Sequence, residues 1–139
     1  MSSQPSRIDC ELDVDLGRVS GAMNDLLSTV WNGNTHISAG MMQGIDVLTR
    51  PGRSRDHADR IMIVMTDGYQ NRGNAVTAAG SCAANRITVH TITFGASADI
   101  ALMGSVAAAG NGRHYHAANP EELREAFREL AAMLAIITE

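Results

Sequence analysis

Residues 61–65 read Ile-Met-Ile-Val-Met, and Thr66-Asp67-Gly68 close the run. Successive side chains of a strand point to opposite faces, so five apolar residues in a row ask for cover on both sides. That is the pattern of a strand in a parallel sheet. Such a strand commits the chain to an α/β layer flanked by helices. It also delivers Asp67 to the strand's carboxyl end, where loops released from sheet packing carry the ligand sites of open α/β sheets. Asp-Gly pairs start ordinary turns as well. A second polar loop upstream, Gly33-Asn34-Thr35, is what makes Asp67 a site candidate.

The rest of the chain alternates between strand and helix patterns. Arg7 to Asp13 places Ile8, Cys10 and Leu12 on one face, as in a half-exposed or edge strand. Asp15 is positioned to cap a helix with the apolar stripe Leu16, Val19, Met23, Leu27 and Val30, broken by Asn32 to Asn34. The next helix carries Ile37, Met41, Ile45 and Leu48 and stops at Pro51-Gly52. Beyond the central run, Asn71 and Gly73 shape a loop into an alanine-rich helix through Val76, Ala79 and Ala83. Thr88 to Phe94, rich in β-branched residues and closed by Gly95, reads as a strand. Ser97 or Asp99 then starts a helix with Ile100, Met103, Val106 and Ala107, ending at Gly110. A short strand covers Arg113 to His116. Asn119-Pro120-Glu121-Glu122 opens the last helix, with Leu123, Phe127, Leu130, Leu134 and Ile137 as its stripe. This order predicts one domain over residues 1–139, with 1–6 a disordered N-terminus. The expected fold is α/β: a Rossmann-like, three-layer, doubly wound and mostly parallel sheet.

Composition removes several functions. A net charge of −4 offers no footprint for nucleic acid. Arginines cluster at Arg50, Arg53, Arg55 and Arg60, but interleaved Pro51, Gly52, Asp56 and Asp59 make that segment a solvated loop. No apolar stretch reaches the roughly 18 residues of a membrane span, and the start lacks the apolar core of a signal peptide. Cys10 and Cys82 form neither a CxxC nor a disulfide framework and read as buried thiols. The chain contains no GxGxxG, GxxxxGK[ST] or GxSxG, which leaves no sequence case for a dinucleotide, a P-loop phosphate or a serine nucleophile. His114 and His116 share a strand face, but two histidines without a third ligand make a polar face rather than a zinc site. His90, set among apolar residues, reads as a hydrogen-bonded core histidine.

Gly33-Asn34-Thr35 with Gly40 behind it, IMIVMTDG, Val89 to Gly95 and the ending NPEELREAF together resemble the second half of a von Willebrand factor A domain. The version is the one at the carboxyl end of TadG-like pilus-assembly proteins. The likeness runs from about Trp31 to the terminus and more weakly back through Arg7. Cys82 also resembles the TadG pattern, whereas that family's second cysteine is replaced by Ser105-Val106. The resemblance implies that Thr35 and Asp67 are two ligands of a metal-ion-dependent adhesion site. Asn34, His36, Gly68 and Asn71 adjoin them as candidates for its partner-binding rim; for His36 plain surface exposure, and for Asn71 the shaping of the turn, is the alternative reading. The implied ion is Mg2+ or Mn2+, bound weakly, with a carboxylate of a protein partner completing the shell.

The family's DxSxS loop is absent. Asp13-Val14-Asp15 offers two carboxylates, but only twenty residues separate Asp15 from Thr35. Arg7 to Val30 therefore matches the family's third strand and following helix, and the chain reads as N-terminally truncated. Because the missing first strand would leave the Ile61 strand with an open edge, the chain is expected to pair with a complementary strand or to oligomerise, the alternative being that the Arg7 strand moves in to cover that edge. The function implied is a non-enzymatic binding module in Tad/Flp-type pilus assembly or surface attachment, extracytoplasmic if the likeness holds and cytoplasmic otherwise. Two alternatives remain: an accessory subunit organising an ATP-driven enzyme, as in metal chelatases, and a structural module without metal.

Overall fold

The computed structural model describes residues 8–9, 11, 15–27, 36–52, 57–69 and 73–137. Among these, β1 (Arg60–Thr66), β2 (Ile87–Phe94) and β3 (His114–Ala117) form a parallel sheet in the order β1-β2-β3. The helices are α1 (Leu16–Leu27), α2 (Ile37–Thr49), α3 (Ala75–Ala84), α4 (Ile100–Ala109) and α5 (Pro120–Ile137). Strand and helix alternate as the sequence predicts, and the α/β, Rossmann-like layer is confirmed. Register pairs Arg60 with Ile87 and Thr66 with Thr93, and Thr93 in turn with His116. Thr66, Thr93 and His116 thus stand in one row at the carboxyl end of the sheet.

Alternation along β2 turns Ile87 and Val89 toward α3 and α4 and turns Thr88, His90, Ile92 and Phe94 to the opposite face. On the first face, Met41, Met62, Ala79, Cys82, Ile87, Val89, Met103 and Val106 make one buried cluster, with Ile37, Ile45 and Leu48 of α2 packed against it. Small side chains on α3 (Ala75, Ala78, Ala79) let that helix lie close to its neighbours. Gly112, entering β3, has no room for a side chain: a Cβ there would sit 1.9 Å from the Val89 carbonyl oxygen. On the second face α5 packs along β3, and Ile92, Ala117, Ala126 and Leu130 are buried.

The caps follow the sequence signals. Asp15 accepts the Gly17 N–H at 2.9 Å, and Asp99 accepts that of Leu102 at 3.0 Å. At the start of α5, Asn119 Oδ1 accepts from the Glu122 N–H while the Glu122 carboxylate accepts from the Ala118 N–H and the Asn119 side-chain NH2, a reciprocal arrangement close to a capping box.

Five expectations are corrected. The Ile61 strand is not buried on both faces: Ile63 is 41% and Met65 56% exposed, because α5 lies over β3 at the far side of the sheet. Leu16 and Met23 of the α1 stripe do not pack inward either, at 77% and 60% exposure on a helix not closely packed against the sheet. Phe127 is 42% exposed, since α5 is rotated to bury Ala126 and Leu130 instead. Arg50 is not part of a solvated loop but pairs with both Asp46 and Glu11, which together hold its guanidinium pKa above its ordinary value. In the predicted strand at 7–13, Ile8, Asp9 and Glu11 are not in strand conformation, and its other residues lie outside the described ones. Cys82 is a buried free thiol, its pKa raised by burial. Cys10 lies outside the described residues.

Candidate site at the carboxyl end of the sheet

β1 ends at Thr66, which is buried, and its hydroxyl fixes the turn that follows. Thr66 Oγ1 lies 3.3 Å from both the N–H and the carbonyl oxygen of Gly68, accepting from the first and donating to the second. That short loop turns Asp67 outward, and its carboxylate is exposed at the strand end. Gly68 is half-buried beneath it.

The loop beyond returns to the start of α2. Gly73 has φ +79, a region that suits glycine, and a Cβ there would lie 2.0 Å from Ser38 Oγ and 2.6 Å from His36 Nε2. His36, exposed, occupies the N-cap position of α2, and Ser38 is buried in its first turn. The segment that follows Asp67 and the segment that follows Thr35 are therefore in direct contact. Of the residues predicted for the site, Asp67, Gly68 and His36 are described and lie on these two converging segments. Asn34, Thr35 and Asn71 lie outside the described residues.

Behind Asp67 runs a polar row that the sequence reading did not assemble. Thr93 is fully buried, with its hydroxyl 2.9 Å from His116 Nδ1 and 3.4 Å from His114 Nε2. Thr91 donates to the Met103 carbonyl at 2.9 Å and lies 2.8 Å from His114 Nδ1. Burial, and then the nearby His116, lower the His114 pKa and favour the neutral ring. His114 and His116 are thus tied to threonines as a polar strand face. Only the register of β2 on β1 and β3 reveals this row. Ser38, three residues past Thr35, was the one further member that spacing could have suggested.

As a donor set, this end of the sheet offers oxygen. Among the described residues no three His, Cys, Asp or Glu side chains gather to hold a metal ion. An exposed carboxylate on a rigid strand end suits a hard dication that keeps several waters, and does not suit a soft or buried one.

The comparisons with known proteins agree with this architecture. A search of curated proteins gives no significant match. Among solved structures, an aerotolerance-related membrane protein from Bacteroides fragilis superposes with a TM-score of 0.65 at 21% identity, covering 81% of this chain and 67% of that one. BatB from Bacteroides thetaiotaomicron gives 0.68 at 19% identity, covering 85% and 69%. Proximal thread matrix protein 1 of the mussel byssus, solved with zinc in its MIDAS motif, gives 0.75 at 14% identity, covering 95% of this chain and 33% of that one. At these identities the likeness is one of fold. The von Willebrand factor type A domain model matches residues 8–129, and the chain belongs to that family.

Proposed function

We propose that this von Willebrand factor type A module binds a protein partner at the carboxyl end of its sheet, through a metal-ion-dependent adhesion site to which this chain contributes Thr35 and Asp67. The observation that carries the reading is the contact of Gly73 with His36 and Ser38, which brings the segment after Asp67 against the segment after Thr35. Asp67 supplies the carboxylate, Thr35 a hydroxyl, and Asn34, His36, Gly68 and Asn71 form the rim. Mg2+ or Mn2+ at this site would provide a positive centre for a carboxylate of the partner. With no DxSxS in the sequence the ligand set is incomplete, so affinity for the ion alone is weak.

The role is binding rather than catalysis. Its setting is pilus assembly or surface attachment at the cell envelope, in line with the TadG-like residues and with the membrane protein from Bacteroides fragilis among the structural neighbours. The edge of β1 that no described strand covers is where a complementary strand, from a longer chain or a second copy, would pair.

Titration calorimetry with Mg2+ and Mn2+, on a sample whose mass is fixed by analytical ultracentrifugation, tests the site. Saturable weak binding that Asp67→Ala abolishes, with the melting temperature unchanged, is the expected result. Binding untouched by Asp67→Ala refutes the site as drawn.

A further inference from the structure

At the opposite, amino end of the sheet a cavity of about 340 Å³ opens between the strand starts and α5. Three arginines reach it from three separate segments: Arg60 opens β1, Arg86 sits in the turn from α3 to β2, and Arg113 precedes β3. Asp59 is the opposing carboxylate, so the lining carries a net charge of about +2 in a chain whose total is −4. The guanidinium groups of Arg86 and Arg113 make no ion pair with the described residues. Arg86 is also held at φ +58, a conformation in which glycine or asparagine would be at ease.

His90 adds a directional donor. It lines the same cavity yet is only 4% exposed, and its Nδ1 accepts the backbone N–H of Arg113 at 3.1 Å. Burial and the Arg113 charge lower its pKa, so the ring is neutral at pH 7 and carries its proton on Nε2. That N–H has no partner among the described residues. Ile61 and Met133 supply an apolar wall.

We infer that this cavity is a binding site for a small organic phosphomonoester, held by Arg86, Arg113 and His90 Nε2–H. A carboxylate has two oxygens and is satisfied by one guanidinium fork. A phosphate has three terminal oxygens and matches donors that converge from separate elements. The volume exceeds that of the phosphate group alone, and the apolar wall fits the organic part that the ester carries. The adhesion-type site at the other end of the sheet is not involved.

The test is an NMR titration of the full chain at low ionic strength with inorganic phosphate, phenyl phosphate and benzoate. Phenyl phosphate should shift the His90 ring and the Thr88 and Gly112 amides saturably, raise the His90 pKa, and bind about tenfold more tightly than inorganic phosphate. Arg113→Ala and Arg86→Gly should each weaken it about tenfold. The second variant relieves the positive φ and so keeps the fold, and Arg124→Ala on the exposed face of α5 should change nothing. The inference is overturned if millimolar phenyl phosphate gives no saturable shift, if benzoate binds as well, if Arg124→Ala weakens binding equally, or if the shifts centre on Asp67.

Discussion

On one face of the sheet Ile87 and Val89 are sealed against Met103 and Val106 of α4 and the small residues of α3, all four at 1% exposure or less. On the other, Ile63 and Met65 stand about half exposed while α5 guards β3. The two faces belong to the same strands, so strand propensity does not distinguish them. Helix placement does. Two crossover helices, α3 and α4, crowd onto the first face with α2 beside them, and their alanines and glycines allow close approach. A single long helix serves the second, and it covers the strand next to it in sequence. An apolar strand therefore records what its environment demands rather than what this chain alone provides.

That contrast can be broken or sharpened in four ways. Met103→Ala, on the sealed face, should cost about 2–5 kcal/mol, read from urea unfolding at constant m-value. A cost near zero would mean that this face is as loosely packed as the other. Gly73→Ala should cost about 1–2 kcal/mol for the positive φ, with more from the collision with Ser38. Because that contact joins the two candidate ligand segments, weakened Mn2+ binding should accompany the loss.

The pH dependence distinguishes the faces through one histidine on each, His90 buried and His114 half-buried. His114 lies on the α4 side and His90 on the α5 side, and both have pKa values lowered below the ordinary 6.5. The unfolded chain then takes up these protons first, so stability is full above pH 6.5 and is lost as pH falls through the folded values. Chemical denaturation between pH 7 and pH 5 should show the decline, and His90→Gln and His114→Gln should each flatten part of it. If neither variant changes the slope, carboxylates elsewhere govern acid stability.

The smallest effect is the most diagnostic. Met65→Ala should alter stability by less than about 0.5 kcal/mol in a monomer, as exposed positions do. A loss comparable to that at Met103, or one that grows with protein concentration, would mean that another chain or another strand covers this face.

Much of the architecture was legible. The helix starts at Asp15, Asp99 and Asn119 follow from side chains that accept the backbone N–H of a residue two or three positions on, and such local chemistry needs no tertiary context. The β-branched run from Thr88 identified β2, and the position of Asp67 followed from the apolar run before it. Burial was less legible. Hydrophobic periodicity reports which side of a helix is apolar, and Leu16, Met23 and Phe127 show that it does not report whether a partner surface lies opposite. The row of Thr66, Thr93 and His116 was hidden for another reason: it depends on the register between strands distant in sequence. The arginine-lined cavity depends on the same long-range relation, because its charges come from three segments that no local pattern connects.

The parallel register of β1 on β2 also sets a clock. Each residue of β1 pairs with one 27 positions later, so at a synthesis rate of roughly 5–20 residues per second the strand waits about 1–5 s for its partner to be made. During that interval Ile61 to Met65 is a bare segment of the kind that self-associates between nascent chains. Asp59 and Arg60 stand immediately before it, and Asp67 follows after Thr66. Charges so placed keep emerging chains apart until β2 arrives, and a substitution at Asp67 that spares the folded protein is expected to lower the yield of soluble chain.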